Sequence, residues 1–283
     1  MVDIHAIINL DRYPIDRLDS HDGKALLARC QRELADDGSL LLEDFVKPSV
    51  IAKMAAEVSD LDSYHRLQIV GPYHFATHSA EFPDSHPTRK LVAQDVHAVA
   101  ADRIPPACLL RKVYDSPEVL RFLAAVLRIP KLYQFADPLQ CINVMYMKDG
   151  GSRAWHYDGS DFVVTLLLQQ CLHGGEFEWA PFIRGQNGEE NFEQVDKLFR
   201  GLNSTAKTSR AGAGALALFN GRRSMHRVRA VYGPQMRIQS VLSYDTLPPH
   251  KQKLSPPEKN VALYGERARK ITAANLQQRR SKL

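Results

Sequence analysis

The chain lacks any run of about 18 apolar residues, the length that a membrane-spanning helix requires. Its N-terminal segment lacks the basic-then-apolar pattern of a secretory signal. Cysteine is scarce, and none of the four is spaced as a CxxC pair, so we expect reduced thiols rather than a disulfide framework. Internal repeats and low-complexity segments are also lacking. With 44% hydrophobic and 24% charged residues, the 283-residue sequence is typical of a globular protein with a sizeable core. The cysteines are Cys30, Cys108, Cys141 and Cys171.

The formal net charge is +5, and much of the excess lies in the C-terminal segment 251–283. A nucleic-acid demethylase is one interpretation, and it predicts salt-dependent binding of DNA or RNA. However, aromatic residues do not interleave with the basic ones, as single-strand binding would need. We therefore expect a solvated basic tail or surface helix over 248–283 and no nucleic-acid partner.

The last three residues, Ser281-Lys282-Leu283, match a peroxisomal address. In a eukaryotic cell an import receptor would bind this tripeptide, and we would expect a peroxisomal enzyme. In a bacterial cell the match would be a coincidence, and a cytoplasmic location would be expected.

Helical patterns dominate the first part of the chain, where apolar residues recur at spacings of three and four. They predict helices over 22–35, 48–58 and 115–128, with a short strand over 39–45. The segment 64–90 carries histidines, prolines and aromatics with no sustained period. Loops of that length are usually functional or disordered, and the aromatic content favours an ordered, irregular lid.

Short segments rich in β-formers follow from residue 139 onward, bounded by Gly and Asn turns. A polar insert over 185–210, with a helix near 190–200, interrupts the series. Several short strands without intervening helices favour a jelly roll or a barrel. The predicted strands are 140–147, 162–170, 176–179, 215–219, 226–231 and 236–244.

The triplet His156-Tyr157-Asp158 follows a Gly-rich turn at the edge of a predicted strand. Residues i and i+2 of a strand point to the same face, so His156 and Asp158 can reach one metal ion while Tyr157 points away. Two histidines and one carboxylate form the face that binds non-haem Fe(II) with open positions. His226, at the start of a later strand, is the candidate third ligand.

Arg237 follows His226 on the next predicted strand and is flanked by apolar residues. An arginine buried there needs an anionic partner, because an unpaired buried charge is costly. A dicarboxylate cosubstrate would supply that partner through a bidentate contact.

The order of these motifs resembles the Fe(II)/2-oxoglutarate-dependent dioxygenase superfamily. The matching features are the HxD pair, a GGxF turn at 174–177, an apolar strand over 214–219, His226 and Arg237. The resemblance implies an α+β protein with a mainly β core, a double-stranded β-helix (jelly roll), and an N-terminal helical layer. It also implies that His156, Asp158 and His226 bind Fe(II) and that Arg237 grips the distal carboxylate of 2-oxoglutarate.

Tyr146 matches a position that often helps to hold the same carboxylate, although a core tyrosine is an equally good interpretation. The resemblance further implies one dioxygenase domain over 1–283. Its parts would be a helical support and lid over 1–138, a jelly-roll core over 139–247 and the basic tail over 248–283.

The reaction implied is oxidation of an unactivated C–H bond by O₂, with 2-oxoglutarate converted to succinate and CO₂. Hydroxylation is the usual outcome, and desaturation, cyclisation or demethylation are alternatives. Related halogenases replace the ligand carboxylate with a small residue so that chloride can bind, so Asp158 argues against halogenation. A cupin-like binding protein without turnover is the rival hypothesis.

The substrate expected is a small polar molecule, such as an amino acid or a natural-product intermediate. We expect no membrane partner. The candidate substrate contacts near the metal strands are Asn143, Trp155, Asp161 and Arg222.

Overall fold

Helices form where the sequence supplies both an apolar face and a cap. The computed structural model describes residues 4–59, 61, 65–72, 81–202 and 205–280. Ser20 caps the first helix by accepting a hydrogen bond from the Gly23 amide at 3.0 Å, and Gly38 ends it in the left-handed conformation, at φ 64°. The helices are α1 (His21–Asp37), α2 (Pro48–Ser59), α3 (Leu109–Asp115), α4 (Pro117–Val126), α5 (Phe192–Phe199), α6 (Pro257–Tyr264) and α7 (Arg267–Arg280).

The strands of the described residues build two facing antiparallel sheets. One has seven strands in the order β1-β11-β7-β14-β5-β3-β2, and the other has four in the order β10-β9-β12-β6. Two further pairs, β13-β8 and β15-β4, lie outside these sheets. The strands are β1 (Ser39–Leu42), β2 (His65–Pro72), β3 (Leu91–Ala100), β4 (Tyr133–Gln134), β5 (Ile142–Met147), β6 (Arg153–His156), β7 (Val163–Gln169), β8 (His173–Gly174), β9 (Phe177–Ala180), β10 (Lys207–Ser209), β11 (Leu216–Phe219), β12 (Met225–Val228), β13 (Val231–Tyr232), β14 (Arg237–Leu242) and β15 (Tyr244–Asp245).

The seven-stranded sheet separates the main hydrophobic core from an interior cavity. Along each strand, alternate side chains point to opposite faces. On the outer face, Leu40, Leu166 and Ile238 pack with the buried residues of helices α1 to α4 in one cluster. On the inner face, Thr165, Phe219 and other residues line the cavity between the two sheets. The predicted jelly roll with an N-terminal helical layer is confirmed.

The prediction for the segment 64–90 is partly wrong. Residues 65–72 and 91–100 form a hairpin at the end of the large sheet, so the first part of the chain supplies strands as well as helices. The predicted lid over 64–90 is therefore partly sheet, and its residues 64 and 73–80 lie outside the described residues.

The C-terminal segment, expected to be a solvated tail or a surface helix, forms two helices. Helices α6 and α7 bury Tyr264 and Ala268 against Ala98 and Ala100 of β3. Lys259, Arg269 and Lys270 are exposed, whereas Arg267 pairs with Asp102 and Arg279 donates to the Pro249 and Gln252 carbonyl oxygens. Residues 281–283, which carry the predicted peroxisomal address, lie outside the described residues, and that address stays a prediction. No described helix has the length and apolar character that crossing a membrane requires.

Candidate metal centre and cosubstrate pocket

Three potential metal ligands converge on the inner face of the four-stranded sheet. His156 ends β6, Asp158 follows it in the next turn, and His226 lies on β12 directly opposite His156. Their ligand atoms all lie within 4.8 Å of one another. Nε2 of His156 is 3.6 Å from Oδ1 of Asp158, and Nε2 of His226 is 3.1 Å from Oδ2. The structure thus brings together the three residues predicted as ligands.

The two imidazoles are held in the tautomer that a metal needs. Nδ1 of His156 lies 2.7 Å from the Ala154 carbonyl oxygen, and Nδ1 of His226 lies 2.9 Å from that of Ser224. Because a carbonyl oxygen can only accept, each Nδ1 carries the proton and each Nε2 keeps its lone pair. Those lone pairs face a carboxylate whose Oδ2 is buried without a hydrogen-bond donor among the described residues. A cation between the three groups would relieve this repulsion.

The ionisation states also suit a divalent metal. Burial lowers the pKa of His156 well below its ordinary value, and His226 and Arg153 lower it further. Burial would raise the pKa of Asp158, but His226, His156 and Arg153 outweigh it and hold that pKa below its ordinary value. Around neutral pH the trio therefore offers a neutral imidazole at His156 and an ionised carboxylate, the forms that bind metal ions.

Asp158 is held in place by the turn that precedes β12. Its amide donates to the Gly221 carbonyl oxygen at 3.0 Å. Gly221 lies so close that a Cβ there would meet Oδ2 of Asp158 at 2.2 Å. Only a residue without a side chain fits at this position, so the Asn220-Gly221 turn fixes the carboxylate between the two histidines.

Arg237 lies at the cavity between the two sheets. The cavity has a volume of about 190 Å³, and Thr165, Leu167, Phe177 and Phe219 are among its lining residues. Arg237 is 5% exposed, and its Nε has no hydrogen-bond partner among the described residues. Burial lowers its pKa to about 10, so the side chain stays charged at neutral pH. Its Nη1 donates to the Gln239 side chain.

This combination fits a carboxylate ligand. A buried cation with an unused donor beside an open cavity can donate a charge-assisted hydrogen bond to a carboxylate while its neighbours stay in place. The pocket lies on the side of Phe177 and Phe219, whose rings also contact His226 at centroid distances of 5.8 Å and 4.8 Å. Phe177 and Phe219 therefore lie between the cavity at Arg237 and His226 of the metal trio.

Tyr146 does not reach this space, which corrects the prediction that it holds the cosubstrate. It pairs with Ile238, the neighbour of Arg237 on β14, so its side chain points to the opposite face of the large sheet. There its hydroxyl donates to the Val58 carbonyl oxygen at 2.6 Å, and the side chain is fully buried against the helices. The alternative interpretation, a core tyrosine, is the right one.

Two predicted substrate contacts are also placed elsewhere. Trp155 points to the outer face of the small sheet, where the Arg227 guanidinium lies 4.6 Å from its ring centroid. Asn143 lies at the end of β5 away from Arg237, beside the phenol of Tyr264 on α6. Neither side chain faces the metal trio.

The other two predicted contacts lie at the rim of the metal centre. Arg222 follows Gly221, Asp161 lies in the turn after Asp158, and the two form an exposed ion pair at 3.1 Å. This pair joins the two loops that carry the Asp158 carboxylate and its glycine neighbour. A substrate contact at Arg222 or Asp161 stays a prediction.

Arg153 is the site residue that strand alternation missed. It lies three positions before His156, so a regular strand would place the two on opposite faces. The register of β6 against β12 shifts between His226 and Val228, and Arg153 pairs with Val228 on the inner face. Its Nε donates to Nε2 of His156 at 3.3 Å. Such a β-bulge re-aims a side chain and cannot be recognised from alternation alone.

Comparisons with known proteins agree with this fold. A family model described as HalD: Halogenase D matches residues 22–261. No curated protein matches the chain. Among solved structures, AviO1 from Streptomyces viridochromogenes Tue57 is similar with a TM-score of 0.54 and 14% identity, over 81% of this chain and 96% of that one.

The descriptions of two other similar solved structures name 2-oxoglutarate together with a metal. A 2OG-Fe(II) oxygenase family protein from Burkholderia pseudomallei has a TM-score of 0.51 and 14% identity, over 78% of this chain and 91% of that one. HygX from Streptomyces hygroscopicus, with nickel, 2-oxoglutarate and hygromycin B bound, has a TM-score of 0.50 and 11% identity, over 76% of this chain and 86% of that one. The fold predicted from the motif order is confirmed.

Proposed function

The chain belongs to the halogenase D family, within the Fe(II)/2-oxoglutarate-dependent dioxygenase superfamily, and we propose that it hydroxylates a small polar molecule. The substrate class is an amino acid or a natural-product intermediate, oxidised at an unactivated C–H bond. The balanced reaction is R–H + O₂ + 2-oxoglutarate → R–OH + succinate + CO₂. The observation that carries this proposal is the complete trio of His156, Asp158 and His226 on the inner face of the small sheet.

Each residue has a definite task in this proposal. The two Nε2 atoms and one Asp158 oxygen would hold Fe(II), which together with 2-oxoglutarate supplies the oxidising power drawn from O₂. Arg237 binds and orients the distal carboxylate of the cosubstrate through charge-assisted hydrogen bonds. Phe177 and Phe219 exclude water from the space between Arg237 and His226.

The carboxylate of Asp158 decides between oxygenation and halogenation. Halogenases of this superfamily have a small residue at this ligand position, which leaves room for chloride beside the metal. Here the position is filled, the carboxylate is ionised, and the Asn220-Gly221 turn presses against it. We therefore infer oxygen transfer, although the matching family takes its description from a halogenase.

Spectroscopy of the anaerobic protein tests the cofactor assignment. Protein mixed with Fe(II) and 2-oxoglutarate should show a weak metal-to-ligand charge-transfer band in the visible. Asp158→Ala and His156→Ala should lose both the band and substrate-independent succinate formation. His173→Ala is the matched control, because this histidine is exposed on β8, away from the trio, and should keep both signals.

Product analysis tests the reaction outcome. Amino acids and related small molecules that perturb the band are offered with O₂ and excess chloride, and their products are identified by mass spectrometry. A gain of one oxygen atom is expected. A chlorinated product would overturn the assignment of oxygenation, and a wild-type protein that binds no Fe(II) would overturn the function as a whole.

A further inference from the structure

Arg153 is a cation beside the metal trio that the reaction as described does not use. The β-bulge places it on the inner face, where its Nε donates to Nε2 of His156 at 3.3 Å. We infer that Arg153 binds a carboxylate of the substrate next to the metal and so sets the enzyme's substrate class. This inference rests on the proposed function.

The surroundings of Arg153 differ from those of nearby arginines. On neighbouring strands, Arg66 pairs with Asp95 at 2.6 Å, and Arg227 and Arg229 both pair with Glu178. Arg210, on the loop after β10, pairs with Glu176 at 3.4 Å. Within the described part of the chain, Arg153 forms no ion pair at such distances.

Asp158 cannot neutralise Arg153 in the metal-loaded protein, because its carboxylate would then bind Fe(II). The same holds for Nε2 of His156, whose lone pair would be taken up in metal binding. Arg153 would then lose the acceptor of its Nε and face a neighbouring cation. A partly buried guanidinium in that position is costly unless an anion lies beside it.

The charges of the loaded site indicate where that anion comes from. Fe(II) and the 2-oxoglutarate dianion cancel each other, and Asp158 cancels one of the two arginines. One positive charge is left over, at Arg153. The superfamily resemblance assigns one cosubstrate carboxylate to the metal and the other to Arg237, so the charges of both are already engaged. A carboxylate of the substrate fills the vacancy, and the guanidinium fork matches it in a bidentate contact.

Matched variants separate the two possible sources of the carboxylate. Arg153→Gln removes the charge, Arg153→Lys keeps it without the fork, and Arg229→Gln is the control, since Arg229 is exposed and paired with Glu178. The first measurement is the 2-oxoglutarate titration of the charge-transfer band under anaerobic conditions. We expect the dissociation constant to change by less than about threefold in all three variants, because Arg237 and the metal hold the cosubstrate. An increase of tenfold or more in Arg153→Gln alone would mean that Arg153 binds the cosubstrate, and would overturn the inference.

The second measurement uses the L-α-amino acids and their carboxamides as paired probes. For each pair that stimulates succinate formation, the wild type should prefer the free carboxylate, and Arg153→Gln should reduce that preference at least about 30-fold, as loss of a buried charge-pair partner does. Arg153→Lys should recover part of the preference. Stimulation by carboxamides alone, or an unchanged preference in Arg153→Gln, would overturn the inference.

A third measurement applies even if no pair stimulates turnover. Acetate should perturb the charge-transfer band of the Fe(II)- and 2-oxoglutarate-loaded wild type and of Arg229→Gln. Arg153→Gln should require at least about tenfold more acetate for the same change. An equal response of all proteins would overturn the inference. Because the band itself reports the loaded metal centre, a failure of the proposed function, seen as no band in the wild type, is distinguishable from a failure of the role of Arg153.

Discussion

The carboxylate of Asp158 lies directly against Gly221, and adding one methyl group at residue 221 tests whether this contact holds the carboxylate in place. In Gly221→Ala the added methyl group would fall 2.2 Å from Oδ2 and 2.9 Å from the Asp158 Cβ. The carboxylate must then leave its position between the histidines. We expect the Fe(II) dissociation constant to rise about 10- to 100-fold, as when the outer support of a metal ligand is lost.

Gly159 provides the matched control for this experiment. It follows Asp158 directly, and a Cβ there would meet no atom within 4 Å. Gly159→Ala should therefore bind Fe(II) as the wild type does, in the same anaerobic titration. If Gly221→Ala also bound Fe(II) normally, the turn would not be the element that holds Asp158.

Arg237 carries the second residue-scale prediction. Arg237→Gln removes the buried positive charge while keeping a hydrogen-bonding side chain of related shape. We expect the 2-oxoglutarate dissociation constant to rise at least about 30-fold, the loss typical of a broken buried charge pair. Fe(II) binding should remain, since Arg237 contributes nothing to the trio. A variant that lost the metal and kept the cosubstrate would contradict this assignment.

The metal ligands could be predicted because the order of the three residues and the i, i+2 spacing of His156 and Asp158 can be read directly from the sequence. Tyr146 could not, because its direction depends on its cross-strand pairing with Ile238 rather than Arg237. Arg153 was missed for a related reason. A one-residue shift in register against β12 turns its side chain inward, and no local pattern in the sequence marks that shift.

At the scale of elements, the C-terminal helices are attached through buried polar groups as well as apolar ones. Asn260 of α6 is fully buried, and its amide donates to Thr272 Oγ1 at 3.0 Å and to Asp137 Oδ2 at 3.4 Å. It also accepts from the side chain of Gln140. One asparagine therefore connects α6, α7 and the segment that leads into β5.

Asn260→Ala would leave several buried groups without partners, including part of the Asp137 carboxylate. We expect the free energy of unfolding to fall by about 2–3 kcal/mol, measured by urea denaturation. Lys259→Ala is the control, because Lys259 is the exposed neighbour on the same helix and should change stability by less than about 0.5 kcal/mol. Equal stabilities of the two variants would mean that the polar network does not hold the helices.

The composition of the C-terminal helices did not reveal how they pack against the rest of the protein. Nine basic residues over 251–283 suggested a solvated tail or a surface helix, and composition did not reveal that Tyr264 and Ala268, together with the polar network of Asn260, dock the helices. The hairpin of β2 and β3 was missed because its strands alternate weakly and flank an irregular stretch. By contrast, α2 was predicted with its buried face, because Ile51, Met54 and Val58 repeat with a clear helical period.

At the scale of the whole molecule, metal binding should be coupled to global stability. The trio joins β6, the turn after it and β12, so the assembled site exists only in the folded protein. At a free Fe(II) concentration 100 times the dissociation constant, the gain is about 2.7 kcal/mol. In a domain of this size that corresponds to a rise of several degrees in the melting temperature.

Thermal unfolding under anaerobic conditions measures this coupling. The wild type should melt at a higher temperature with Fe(II), and a chelator should reverse the change. 2-Oxoglutarate should add a further rise only when the metal is present. Asp158→Ala should respond to neither addition, and a full response of that variant would place the metal elsewhere.

The pairing of His156 with His226 also bears on whether the chain folds before or after it binds iron. The first histidine and the aspartate are made long before the second histidine leaves the ribosome, and the strands that carry them meet only when a large part of the barrel has closed. Contacts between such distant parts of a chain form late, because the intervening loop must first be closed. We therefore expect the chain to fold before it binds iron, so that the supply of the metal would set how much folded protein carries iron rather than how fast the chain folds.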